Sequence, residues 1–265
     1  MVSISFLHSG YPIGCISPNF LTQEGWERFP QRLGTGFFTR RAEKIYYLTA
    51  RHCLTKLPDA DIAQIAARLH IPFFLEGHTS SSDDYVSFEE AILLKHNSQD
   101  IPGDLVDLVV LSVAKPKKAR NWKQLLSRAA KLPPTGDWLD KFMAHPLAHG
   151  PIATGTGIVL SGMGYPYEST MTEITYPENE HEPHEIVTQA AKFTGNLSYG
   201  SSPDRLMLNN ISWDHDLNGF SGSPVFVGYK SEHGPQYALA GMVVSGGGAK
   251  AQFIKISIIT KAFQI

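Results

Sequence analysis

Apolar residues in this chain come in short runs separated by glycine and proline, and this punctuation limits the folds open to it. In the first half the runs cover residues 2–7, 33–39, 45–49, 85–94 and 105–113. In the second half they cover 152–161, 186–193, 205–208, 224–229, 237–244 and 253–256. They are rich in β-branched and aromatic residues, which pack well on a pleated surface. With 23 glycines and 17 prolines spread among them, the pattern predicts an all-β sandwich or barrel. Helical spacing is confined to three places. Residues 60–69 carry Ile62, Ile65, Ala66 and Leu69 on one face, and 121–132 carry Trp122, Leu125, Leu126 and Ala129. The second of these stops before Pro133-Pro134. Residues 257–263 are expected to form a short terminal helix.

At 265 residues the chain makes one large domain or two small ones. The helical run at 121–132 follows a basic segment, Lys115-Pro116-Lys117-Lys118, and precedes a stretch punctuated by proline and glycine as far as Pro151. Strand-like runs lie before and after it in comparable number. The simplest division is a β-barrel over 1–114, a linker with one helix over 115–151, and a second β-barrel over 152–265. Residues 176–185 (YPENEHEPHE) are acidic and polar and read as an exposed loop.

Composition excludes several classes of function. Hydrophobic residues make up 42 % and charged residues 18 % of the chain, enough apolar material for a core and unlike a disordered protein. With 23 basic and 25 acidic side chains, net −2, no cationic surplus points to nucleic acid. No apolar stretch approaches the ~20 residues of a membrane span, and Met1 to Gly10 lack the basic start of a secretory signal. Two cysteines, Cys15 and Cys53, read as thiols in a reducing, cytoplasmic setting. No metal or cofactor is expected. C-x-x-C and H-E-x-x-H spacings are absent, and Pro146 keeps His145 and His149 off a common helix face. His181 and His184 sit in the acidic loop, and the segment 246–250 is not a phosphate loop.

Three local patterns carry chemistry. Thr49-Ala50-Arg51-His52-Cys53 ends an apolar strand, Asp107-Leu108-Val109-Val110-Leu111 opens another, and Gly219-Phe220-Ser221-Gly222-Ser223-Pro224 forms a turn. Taken singly, each has a plain structural reading: a strand-end histidine, a surface carboxylate, a glycine-serine-proline turn. Together they supply a base, an acid to orient it and a nucleophile, in the order His…Asp…Ser. That order argues against an α/β-hydrolase, which runs Ser…acid…His, since no aspartate follows Ser221 and the only later histidine, His233, comes directly after Glu232. It also excludes a subtilisin order, since the first aspartate is Asp59.

On these residues the sequence resembles the trypsin-like (chymotrypsin-fold) serine peptidases. Leu48–Cys53 resembles the family's T-A-x-H-C segment, the Asp107 strand its D-[IL]-A-[LV]-L strand, and Gly219–Pro224 its G-D-S-G-G-P segment. Gly162–Pro166 resembles the G-[WY]-G strand end, Gly241–Gly246 the substrate-pairing strand, and Phe253–Ser257 the last strand before the terminal helix. The G-x-S-G-S-P form resembles the glutamyl-endopeptidase-like branch. The resemblance implies two antiparallel six-stranded Greek-key barrels with the site in the cleft between them. It implies a serine endopeptidase acting on a protein or peptide substrate, with His52 as general base, Asp107 orienting it and Ser221 as nucleophile. The amides of Gly219 and Ser221 would form the oxyanion hole.

The resemblance places the pocket for the residue before the scissile bond at His215, Asp216 and Asn218, at Val243, Val244, Ser245 and Gly246, and at Ala251. Asp216 would favour a basic side chain there and His215 an acidic one; the reading leans to the basic residue. The sequence also departs from the family. Phe220 replaces the aspartate that captures a new N-terminus in family zymogens, so activation by N-terminal trimming is not expected, and Met1 should not be buried at the turn. Cys53 lacks its usual disulfide partner near Gly34. Two further readings follow: control by a regulatory protein partner, or an inactive module of the same fold used for binding.

Overall fold

The computed structural model describes residues 6–23, 26–74, 84–95, 105–144, 159–168, 173–175, 185–231 and 234–263. In the first half, β1 (Ile16–Gln23) pairs antiparallel with β2 (Trp26–Arg41), and β2 with β3 (Lys44–Thr49). A short helix, α1 (Ile62–Ala66), is capped by the Asp61 carboxylate, which accepts from the Ala63 and Gln64 amides. Next come β4 (Leu69–His70), β5 (Phe88–Lys95) and β6 (Leu105–Val113). The sheet runs β4-β1-β2-β3-β6-β5.

The central strands of this sheet, β3 and β6, are buried on both faces over most of their length, which explains why they read as nearly continuous apolar runs. Phe38, Tyr47, Val109 and Leu111 pack into one cluster. Phe37, Leu48, Leu108 and Val110, one residue out of phase, pack into another that continues into the second barrel. The expected six-stranded closed barrel is thus an open, curved sheet among the described residues, with β4 and β5 at its ends.

The linker holds more than the one helix expected. It contains α2 (Ala119–Arg128), β7 (Ala130–Lys131) and α3 (Asp137–Met143), and β7 pairs parallel with β2. Arg128 fastens this linker to the first barrel. Its guanidinium donates to the carbonyls of Gly14, Ile16, Pro72 and Phe73 and lies over the Phe38 ring.

The second half contains β8 (Val159–Gly164), β9 (Glu173–Thr175), β10 (Glu185–Val187), β11 (Ala191–Tyr199), β12 (Arg205–Asn209), β13 (Pro224–Ser231), β14 (Gly234–Gly247) and β15 (Lys250–Lys255). It ends on α4 (Ile256–Lys261). Six of these strands close an antiparallel barrel in the order β11-β12-β15-β14-β13-β8, while β9 and β10 form a separate pair. Phe193, Phe220, Phe226 and Phe253, each fully buried, contribute the large side chains of its core. The fold is therefore all-β, a closed barrel beside a half-barrel sheet with short helices.

Several expectations fall outside the described residues: the run at 2–5, Met1, His145 and His149, the second barrel's start at Ile152, and the acidic loop 176–184 with His181 and His184. From Phe6 onward the N-terminal segment crosses between the two halves. His8 forms an antiparallel bridge to Tyr237, its Nε2 accepts from the Lys131 amide, and Tyr11 packs edge-on against Phe226 and Tyr237.

Candidate active site

His52 lies on the 3-10 turn Arg51–Cys53 directly after β3. Arg51 braces the loop that follows by donating to the carbonyls of Leu57 and Pro58. Asp107 is the third residue of β6, which pairs with β3. The carboxylate grips His52 twice: Oδ1 accepts from the backbone amide at 3.0 Å and Oδ2 accepts from Nδ1 at 2.7 Å. A carboxylate has no proton to give, so Nδ1 carries a ring proton, and in the neutral ring Nε2 is the lone-pair acceptor. Burial alone would push the Asp107 carboxyl up. The hydrogen bonds and charge of His52, with Arg205 beyond, outweigh it and hold the carboxyl below its ordinary range.

Ser221 sits on the turn before β13, and each peptide of that turn is fixed. The Asn218 carbonyl accepts from the Tyr167 amide at 2.9 Å, and the Phe220 carbonyl accepts from the Ser223 amide at 2.9 Å. In a trans peptide the N–H points opposite to its carbonyl. The Gly219 and Ser221 amides are therefore turned away from those anchors, and among the described residues neither has an internal acceptor. Gly219 has φ +94°, and a Cβ there would lie 2.4 Å from the Tyr165 carbonyl oxygen, so the position requires glycine.

Phe220 faces away from the cleft. It is fully buried, with its ring edge-to-face against Phe193 and Trp213. A core side chain thus stands in the turn and anchors it from behind.

The two halves meet at Cys53. Its Sγ lies 3.9 Å from His52 Nε2 and donates to the Ser221 carbonyl at 3.5 Å. Burial, with the charge of Asp107, pushes the thiol up to about 12, so it stays protonated. A Cβ at Gly34 would lie 2.7 Å from this sulfur, and both cysteines are free. The Ser221 hydroxyl donates to the Val244 carbonyl at 3.5 Å, not to His52. Val244 is the extra residue of a β-bulge between Val243 and Ser245 where β14 meets β15, which turns its carbonyl out of the ladder.

No protein-family model matches the sequence, and no curated protein matches it. Among solved structures, a serine protease of a human pathogenic astrovirus aligns over 94 % of this chain and 93 % of that one, at 13 % identity and a TM-score of 0.36. So distant a likeness assigns no activity or residue role here. It gives no support to the glutamyl-endopeptidase branch that the Gly219–Pro224 segment resembles.

The residues expected to line the pocket divide into two groups. His215, Asp216, Asn218, Ser245 and Gly246 are exposed, whereas Val243, Val244 and Ala251 are buried behind them. Sequence reasoning passed over three residues that shape this region. Leu217 is buried and packs on Gly246, where a Cβ would come within 2.1 Å of Leu217 Cδ1. Trp213 donates from Nε1 to the Asp216 carbonyl at 3.2 Å and meets the rings of His215 and Phe220 edge-on. Thr35 reaches the nucleophile turn from the first barrel. No motif marks Leu217 or Trp213, since apolar residues beside a charged loop read as ordinary core.

Proposed function

We propose that the chain is a trypsin-like serine endopeptidase that cleaves peptide bonds through an acyl-enzyme. The observation that carries this reading is the double grip of Asp107 on His52, which fixes the ring as the tautomer a general base needs. In the proposed reaction the Ser221 hydroxyl leaves the Val244 carbonyl by rotation about χ1 and turns to His52 Nε2. Such hydrogen bonds are often long before substrate binds. Ser221 Oγ attacks the scissile carbonyl while Nε2 takes its proton. The developing oxyanion accepts from the Gly219 and Ser221 amides, each worth about 3–4 kcal/mol in enzymes of this type. His52 then passes the proton to the leaving amine, and the carbon–nitrogen bond breaks. A water activated by Nε2 releases the acid and restores Ser221.

A fluorophosphonate probe tests this reading. The wild type should be labelled at Ser221 and Ser221→Ala should not. A wild type that labels no faster than Ser221→Ala would overturn it.

One observation favours the alternative of a catalytically silent binding module, namely the Ser221 hydroxyl bonded to Val244 and not to His52. The same labelling decides between the two. Within the peptidase reading, Asp216 is proposed to select a basic residue before the scissile bond, against His215 selecting an acidic one. Cleavage after Arg or Lys that is lost in Asp216→Ala supports the first. Cleavage after Glu that is unchanged in Asp216→Ala refutes it. Control by a protein partner in a cytoplasmic setting completes the proposal. Its support is that Phe220 removes the carboxylate a processed N-terminus would need.

A further inference from the structure

Thr35, on β2 of the first barrel, touches the nucleophile turn of the second barrel at two carbonyls. Its amide donates to the Ser221 carbonyl at 2.9 Å, and its hydroxyl donates to the Gly219 carbonyl at 2.8 Å. The same hydroxyl accepts from the Tyr165 amide at 2.9 Å. A hydroxyl offers one proton and two lone pairs, so the proton goes to Gly219 and Tyr165 is held by a lone pair. The Gly219–Phe220 peptide is thereby pinned at its oxygen by Thr35 and at its N–H by the Leu217 carbonyl, 3.0 Å away.

Thr35 is itself held in place. Its carbonyl accepts from Thr49 Oγ1 at 2.8 Å and from Asn19 Nδ2 at 3.1 Å. Asn19 Nδ2 also donates to Thr49 Oγ1, and Asn19 Oδ1 accepts from the Tyr47 hydroxyl at 2.8 Å. Asn19, Thr35, Tyr47 and Thr49 all have 0 % exposure, so no solvent competes for these bonds. The turn closes on the network without slack, because a Cβ at Gly222 would lie 1.8 Å from the Thr35 carbonyl oxygen.

We propose that Thr35 is a positioning residue for the reaction: its hydroxyl ties the Gly219 carbonyl to the Tyr165 amide, and so holds the nucleophile turn against the segment whose Tyr167 amide anchors the Asn218–Gly219 peptide with its N–H toward the oxyanion. The proposal rests on the peptidase reading above. Gly219, at φ +94°, lacks the steric limits of other residues, so its orientation depends on these anchors. Removing the hydroxyl leaves the Gly219 carbonyl and the Tyr165 amide buried without partners, and a shift of the turn away from the Tyr165–Tyr167 segment relieves that penalty. Such a shift loosens the Asn218 carbonyl from the Tyr167 amide and turns the Gly219 N–H, which belongs to that peptide, away from the oxyanion. The loss falls on the transition state, where the oxyanion exists, and hardly on ground-state binding.

The test compares wild type, Thr35→Val, Thr35→Ala and Thr35→Ser on a peptide ester, with fluorophosphonate labelling and thermal unfolding measured on the same preparations. Thr35→Val should lower kcat about 10–100-fold with KM within about 2-fold, and should slow labelling by a similar factor while folded at the assay temperature. Thr35→Ser should restore kcat to within about 3-fold. If Thr35→Val does not fold, Thr35→Ala is read the same way. A folded variant without the hydroxyl that keeps wild-type kcat overturns the proposal. So does loss of fold in both, or a fall in kcat that Thr35→Ser fails to rescue. A wild type that is not labelled at Ser221 overturns the peptidase reading instead, and with it this proposal.

Discussion

Replacing Phe220 by alanine tests whether the nucleophile turn is anchored by core packing. The side chain has 0 % exposure, and its ring meets Phe193 at a 5.0 Å centroid distance and Trp213 at 5.2 Å, both close to perpendicular. Truncating a fully buried phenylalanine costs about 3–5 kcal/mol. Two edge-to-face contacts, each worth about 0.5–1.5 kcal/mol, place this site toward the upper end. Leucine keeps most of the apolar volume and should cost only about 1–2 kcal/mol. Aspartate buries a carboxylate among aromatic rings, so it should be at least as harmful as alanine. Urea unfolding followed by tryptophan fluorescence gives the stabilities, and the fluorophosphonate labelling rate reports on the turn. Labelling should slow in the order wild type, leucine, alanine. An alanine variant within about 1 kcal/mol of wild type, or an aspartate variant as stable as wild type, would show that the side chain does not face the barrel core.

Further outcomes follow from other parts of the molecule. Burial, then the charges of Lys131 and Arg40, lowers His8 to about 4 from 6.5. A folded value below the unfolded one gives stability that is present above 6.5 and lost as pH falls toward 4. Discounted for partial exposure, the loss is about 2 kcal/mol, and His8→Gln should remove this pH dependence in urea unfolding at pH 7 and pH 4.5. Arg128→Met leaves four carbonyls without their shared donor and should cost about 3–5 kcal/mol. Arg128→Lys should recover little of this, since an ammonium cannot reproduce the fork. Asp107→Asn should lower kcat about 10³–10⁴-fold with the fold intact. Because the Asp107 carboxyl lies below its ordinary 3.8 when folded, its stabilising contribution should persist above that value and fade only as pH drops through the lower folded pKa.

Where local pattern suffices, the sequence is a good guide. The run 105–113 coincides with β6, because the centre of a strand buried on both faces must be apolar, as Leu108, Val109, Val110 and Leu111 are. The His52 and Ser221 segments could be picked out for a similar reason: the residues that build each turn lie next to the residue it presents. β1 escaped notice because Pro18 and Asn19 look like a turn. Asn19 is instead fully buried, its amide satisfied by Thr49 and the carbonyls of Leu33 and Thr35, none of which is near it in sequence. β7 escaped because two residues carry no periodicity, and only its parallel partner β2 defines it.

The residues alone set out the chemistry on offer: a histidine after a strand, an aspartate in a strand, and a serine in a Gly-Phe-Ser-Gly turn. Which of these face one another is a matter of packing. The Asp107 grip on His52 depends on the β3–β6 register. The direction of the Gly219 amide depends on the Tyr167 anchor at the Asn218 carbonyl, and the next peptide of the turn is held by Thr35 from the other half of the molecule. Those contacts are set by packing between segments far apart in the chain, which no local pattern of residues encodes.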